Sequence, residues 1–202
     1  MSIVDEFNTL AGRVLRDHRR VDSIHVVRVA PTEVGPLVEW TGGPFGPASS
    51  TIRDGVKFRS GPAAQALLAA IARFLACRWR DGTPVPPPDW GVLLHARHPH
   101  VFQEGPDTGP GWCWLWQSGA ERIEEVGLPP GFVTTQTKEK FGSARWYHHA
   151  DVSSPIVEEI IECVEALSEN ICDVCGAPGR IRQGAWIRTL CETHAKAEAG
   201  GR

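Results

Sequence analysis

Hydrophobic positions recur at helical spacing in four stretches of the chain. Ile3, Phe7, Leu10 and Val14 share one face of a helix expected over residues 3–18. Leu67, Leu68, Ile71, Phe74, Leu75 and Trp79 define a second helix over 62–79. Ser60 or Gly61 would cap it, and Pro62 would sit at the first helical position. Trp112, Leu115, Trp116, Gly119 and Ile123 fit one side of a third, although the composition of "WCWLWQ" also suits a strand. Ile156, Ile160, Val164, Leu167 and Ile171 line a fourth, opened by Ser154 and Pro155 and running to about residue 170. Its Glu158, Glu162, Glu165 and Glu169 form an acidic stripe, which the pattern assigns to solvent.

Strand signals fill part of the remainder. "SIHVVRVA" (23–30), "GPLVEW" (35–40) and "GVKFRS" (55–60) are rich in β-branched and apolar residues. "TGGPFGPASS" (41–50) is a loop by its glycines and prolines. "FVTTQTK" (132–138) and "SARWYHH" (143–149) predict a hairpin with "EKFG" as its turn. The prolines of "DGTPVPPPDWG" and the loop "EGPDTGPG" mark residues 81–110 as a connector. The expected organisation is an α+β N-terminal region (1–80), that connector, a helix–hairpin–helix unit (111–171) and a C-terminal module (172–202).

Composition adds limits. The 202 residues are 42% hydrophobic and 22% charged, as expected for a globular chain able to bury a core without disulfide staples. No apolar run reaches the roughly 18–20 residues of a membrane helix. No secretory signal is seen at the start, so a cytoplasmic protein is expected. The net charge of −3 excludes a global basic field that would attract nucleic acid.

The chemistry gathers near the C-terminus. Cys172-x2-Cys175, fifteen residues, then Cys191-x2-His194 has the ligand types and spacing of a structural zinc site. A C-x2-C turn aims two sulfurs at one ion, and a short helix from Cys191 would bring His194 to the same side. Four protein ligands leave no open position, so one structural Zn2+ is the expectation. Cys77, Cys113 and Cys163 are unpaired and read as core residues. Between the ligand pairs, Arg180, Arg182 and Arg188 alternate with Ile181, Trp186 and Ile187, predicting a small hairpin with a basic face. His95, His98 and His100 form a cluster without an adjacent carboxylate or cysteine, and a solvated loop describes it better than a second metal site. His148 and His149 point to opposite faces of a strand and make a poor chelate.

Residues 111–195 resemble the C-terminal region of a group of uncharacterised proteins from phages, prophages and bacterial genomes. The resemblance is carried by Gly111-Trp112, by "KEKFGSARWY" (138–147), by "CDVCGAPG" and by "WIRTLCETH". The one departure is Ala144 and Trp146 where that group has a leucine and a phenylalanine around the hairpin arginine. The resemblance implies a zinc ribbon and a phage or prophage setting, with no activity attached.

The fold class expected is therefore α+β, with a mixed N-terminal region followed by a β-hairpin, a helix and a C-terminal zinc knuckle or ribbon. No P-loop, G-x-S-x-G, G-x-G-x-x-G or H-E-x-x-H motif is present, so a non-enzymatic binding protein is the leading expectation. Its partner would be another protein, with phage–host conflict of inhibitor or immunity type as the setting. Lys138, Lys140, Arg145, Tyr147, Arg180, Arg182, Trp186 and Arg188 are the candidate binding surface. Two other readings stay open: a nucleic-acid-associated protein using Arg180, Arg182 and Arg188, and an enzyme with a dispersed polar pocket in residues 1–110.

Overall fold

The structure, a computed structural model, describes residues 1–44, 50–53, 56–59, 61–184 and 186–200, the two short strands by their backbone alone. Residues 45–49, half of the loop expected over 41–50, and the Ser60 cap fall outside these residues.

Helix α1 (Ile3–Val14) starts with a reciprocal cap, in which the Ser2 hydroxyl accepts from the Asp5 N–H and the Asp5 carboxylate accepts from the Ser2 N–H. It stops one turn short of the expected residue 18. Leu15, at its end, is fully buried where Val14 was expected to be. Strands β1 (His25–Thr32) and β2 (Gly35–Thr41) form an antiparallel hairpin with an irregularity between Val26 and Arg28. β2 lies against α2 (Ala64–Trp79), and a side chain at Gly35 would meet the Ala76 carbonyl at 2.2 Å. Strands β3 (Ser50–Arg53) and β4 (Val56–Arg59) pair in the segment between β2 and α2.

α2 is the central element, in contact with α1, β2, α4 and α5. It begins two residues later than expected. Ala63 at its cap offers no side-chain acceptor, and the free Ala63 N–H is taken by Glu159 Oε1 instead, at 3.2 Å.

The expected connector holds a helix, α3 (Trp90–Arg97), after which the chain buries Val101 and Phe102 completely. One continuous apolar core runs from Phe7 through Leu94 and Phe102 to Ile171.

Helix α4 (Cys113–Val126), entered through a short 3-10 turn at Pro110–Trp112, resolves the ambiguity of "WCWLWQ" in favour of helix. Strands β5 (Val133–Lys140) and β6 (Ser143–His149) pair with Lys140 opposite Ser143. The turn is therefore Phe141–Gly142 alone, with φ of 53° and 80°. Two positive φ values make the turn whose twist matches that of the paired strands. Ala144 and Trp146 face inward, and Trp146 packs on Phe102 and Trp116 with ring centres 5.0 and 5.4 Å away.

Helix α5 (Pro155–Ser168) has Ser154 at its cap and proline in its first turn, as expected. Val164, Leu167 and Ile171 are buried as expected, but in the first two turns Val157 and Ile161 enter the core in place of Ile156 and Ile160, and Ile156 is 45% exposed. The acidic stripe is only partly solvated, because Glu165 accepts the Trp146 N–H at 2.7 Å and Glu158 lies 3.3 Å from His148 Nε2. A last hairpin, β7 (Arg180–Arg182) with β8 (Arg188–Leu190), leads into α6 (Glu192–Gly200). The architecture is α+β, built from helices and small antiparallel hairpins, with a Cys/His cluster near the C-terminus. No helix among the described residues is long and apolar enough to cross a membrane.

Candidate metal centre

Local sequence builds each half of the cluster. The Gly176 N–H bonds back to the Cys172 carbonyl at 2.9 Å, closing the Cys172–Cys175 turn. Gly176 has φ +72°, a conformation that glycine adopts without strain. On the other side, Cys191 immediately precedes α6, and the Ala195 N–H donates to its carbonyl at 2.9 Å. That helical turn places His194 beside Cys191. The Asp173 N–H donates to the Thr189 carbonyl and joins the two halves.

The ligand atoms of Cys172, Cys175, Cys191 and His194 all lie within 4.8 Å of one another. Cys175 Sγ to Cys191 Sγ is 3.9 Å. His194 Nδ1 is 3.3 Å from Cys191 Sγ and 3.5 Å from Cys172 Sγ. A tetrahedron with metal–sulfur bonds of about 2.3 Å and a metal–nitrogen bond of about 2.0 Å has edges of about 3.8 and 3.5 Å. The donor set fits a metal ion at its centre.

The site favours thiolate. The Cys172 thiol is held well below its ordinary pKa, chiefly by a hydrogen bond from Cys175, with backbone N–H groups of Cys191, Cys175 and Val174 adding to it against the cost of burial. That same bond, together with burial, pushes the Cys175 thiol up. A divalent metal binds thiolate and displaces any thiol proton as it does so.

Residues distant in sequence hold the knuckle in place. Gly111 N–H donates to the Asp173 carbonyl and Trp112 Nε1 to the Ile171 carbonyl, both at 2.8 Å. Gly111 sits so close that a Cβ there would meet the Cys172 carbonyl oxygen at 2.3 Å and the Cys175 N at 2.6 Å. Arg13 Nη1 donates to the Gly179 carbonyl at 2.6 Å. Arg78 Nη2 lies 3.5 Å from the Cys175 carbonyl, while Arg78 Nη1 grips the buried Glu6 carboxylate at 2.8 and 2.9 Å. Trp79 Nε1 donates to the same carboxylate at 3.0 Å. Burial raises the Glu6 pKa even against its cationic partner.

The candidate binding surface falls into two parts. Arg145 stands opposite Lys138 in the hairpin register, and the Lys138 ammonium lies 5.0 Å from the Tyr147 ring centre. Lys140 is exposed, beside an exposed Phe141. Arg180 and Arg182 both bond Glu192 Oε1, at 2.8 and 2.6 Å. Arg188 clasps Asp173 through two bonds of 2.8 and 3.0 Å and also approaches Glu198. Trp186 is 70% exposed, whereas Trp112 and Trp116 are fully buried. The hairpins meet where the Thr189 hydroxyl donates to the Gly142 carbonyl.

The histidines do not converge. His95 Nδ1 contacts the Phe102 carbonyl at 2.8 Å, and the buried His98 contacts Glu124 at 2.9 Å. Among the described residues, the Cys172–His194 cluster is the only group able to hold a metal. Cys77, Cys113 and Cys163 are buried free thiols, as expected. Gly111, Arg13 and the Glu6–Arg78 pair were missed by sequence reasoning, and no local pattern reveals contacts across separations of 62 to 166 residues. Asp173 had a signal, since it lies inside the knuckle.

No protein-family model, no curated protein and no solved structure matches this chain.

Proposed function

We propose that the chain is a non-enzymatic, zinc-stabilised binding protein whose partner is another protein. The four converging ligand atoms carry the metal half of this reading. Three sulfurs and an imidazole suit Zn2+, and the full set of protein donors suits a structural role. The ion would hold β7–β8 and α6 against the helical core, where few apolar side chains do so.

The binding half rests on the two hairpin tips. Phe141 is 68% exposed and Trp186 70%, on hairpins joined through Thr189 and Gly142. Large exposed aromatics beside lysines match the composition of protein-binding surfaces in their aromatic content. The phage or prophage setting, with an inhibitor or immunity role, rests on the resemblance of residues 111–195. Nucleic acid is a weaker reading, because Arg180, Arg182 and Arg188 are already paired with Glu192, Asp173 and Glu198. The enzyme reading asks for a deep polar pocket; the cleft between α2, α4 and α5 instead has mostly hydrocarbon walls.

Cobalt substitution tests the centre, with tetrahedral thiolate absorption expected and its absence contradicting the ligand set. A photo-crosslinking residue at Trp186 tests the surface in the producing cell. Specific cross-links to a protein at 186, absent with the same residue at the well-exposed Val27, are expected. Equal labelling at both positions, or cross-links mainly to nucleic acid, would overturn the assignment.

A further inference from the structure

The sequence pattern assigns Ile156 and Ile160 to the core, yet neither is buried there. Both line an open cleft of ≈ 350 Å³ between α2, α4 and α5. That volume lies within the range of about 300–1,000 Å³ typical of small-molecule sites. The cleft has a structural cause. Gly119 on α4 packs so tightly that a Cβ would approach Val164 and Trp146 within 2.9 Å, which draws α4 and α5 together. The facing side of α2 is lined by small side chains, Ala66, Ala69, Ala70 and Ala72, up to Arg73. Helical spacing puts the first three on one face with Arg73. Small side chains opposite large ones leave room that the protein does not fill.

The polar content of the cleft is equally specific. Arg73 lines it, and its Nε is buried with no hydrogen-bond partner. A donor left without an acceptor is unfavourable, and the guanidinium side chain that carries it stays 21% exposed at the cleft wall. Its Nη2 pairs with Glu125, which also accepts from Arg122 at 3.2 Å, so two guanidiniums share one carboxylate at the rim. Glu159 also lines the cleft, with Oε1 already engaged by the Ala63 N–H.

We infer that this cleft binds a small amphipathic anion, with an apolar body of about ten carbons lying along the alanine face and a carboxylate-type head group at Arg73. The site is some elements away from the Cys172–His194 cluster and shares no residue with it, so it stands or falls independently of the metal.

The test uses the full zinc-loaded chain and two probes in calorimetry, decanoate and 1-decanol. Saturable one-to-one binding of decanoate is expected. Arg73→Met should weaken decanoate at least tenfold and leave decanol within about threefold. Ala69→Trp, at an exposed position on the cleft wall, should abolish both without unfolding the protein, as checked by far-UV circular dichroism. Absence of saturable decanoate binding to the wild-type chain overturns the inference, as does decanoate binding that survives Ala69→Trp. Equal weakening of both probes by Arg73→Met overturns the head-group assignment.

Discussion

Replacing Gly111 by alanine should loosen the metal centre from outside its ligand set. The new Cβ would lie 2.3 Å from the Cys172 carbonyl oxygen, 2.5 Å from the Gly176 N and 2.6 Å from the Cys175 N. All three are backbone atoms, so no side chain can swing away. Ordinary contacts begin at 3.4 Å, and relief therefore demands a movement of about 1 Å in the knuckle or in the start of α4. Metal sites tolerate only about 0.2 Å in ligand distance. The same movement stretches the 2.8 Å bond from the Gly111 N–H to the Asp173 carbonyl. Loss of supporting contacts around a metal commonly weakens it about 10–100-fold, or about 1.4–2.7 kcal/mol. For a chain of this size that is a fall in Tm of roughly 3–10 °C. Competition for zinc against a chromogenic chelator measures the first quantity and calorimetry the second. Gly12→Ala is the control, since nothing lies within 4 Å of its added methyl and α1 gains a better helix former. A Gly111→Ala protein that holds zinc within twofold of wild type, with an unchanged Tm, would refute the clamp.

Arg78→Ala should cost about 3–5 kcal/mol in denaturant unfolding, because it strands the buried Glu6 carboxylate, whereas a joint Glu6→Met/Arg78→Met replacement should recover most of that. Thiol alkylation at pH 8 should report the metal directly. Burial keeps Cys113 and Cys163 protonated by pushing both up to about 12, and pushes Cys77 higher still. At pH 8 these three stay far below their pKa values and therefore un-ionised and inert. Mass spectrometry should show no adducts on the zinc-loaded protein, adducts confined to Cys172, Cys175 and Cys191 once chelation frees the knuckle to open, and six in denaturant. Phe141→Ser should leave stability within about 0.5 kcal/mol, since the side chain is exposed, while weakening cross-linking to the partner from position 186. Gly142→Ala, at φ +80°, should instead cost about 1 kcal/mol in thermal unfolding.

What the chain disclosed in advance was local. The ligand pattern Cys172, Cys175, Cys191, His194 is legible because each pair sits within a single turn. Helices α2, α4 and α5 were legible because a 3.6-residue period sustained over three or more turns outweighs composition, even in "WCWLWQ". Helix α3 was masked by the prolines beside it, although Leu94 and Phe102 are both buried in the core. The exchange of core residues in the first two turns of α5 was hidden for another reason. Both Ile156/Ile160 and Val157/Ile161 offer apolar stripes, and only the position of α2 decides which one faces the core. Arg180, Arg182 and Arg188 read as a basic face until Glu192, Glu198 and Asp173 close around them. Gly111 read simply as the start of a helix, and its role emerges only when the knuckle folds over it.

The central claim is that Cys172, Cys175, Cys191 and His194 hold one structural zinc. The most direct test is elemental analysis of the full chain purified without added metal, beside a Cys172→Ser/Cys175→Ser variant. About one zinc per chain is expected in the wild-type protein. The variant should lose it together with protection of β7, β8 and α6 from hydrogen exchange. A metal-free wild-type protein that is fully folded, or a variant that keeps its zinc, would contradict the account.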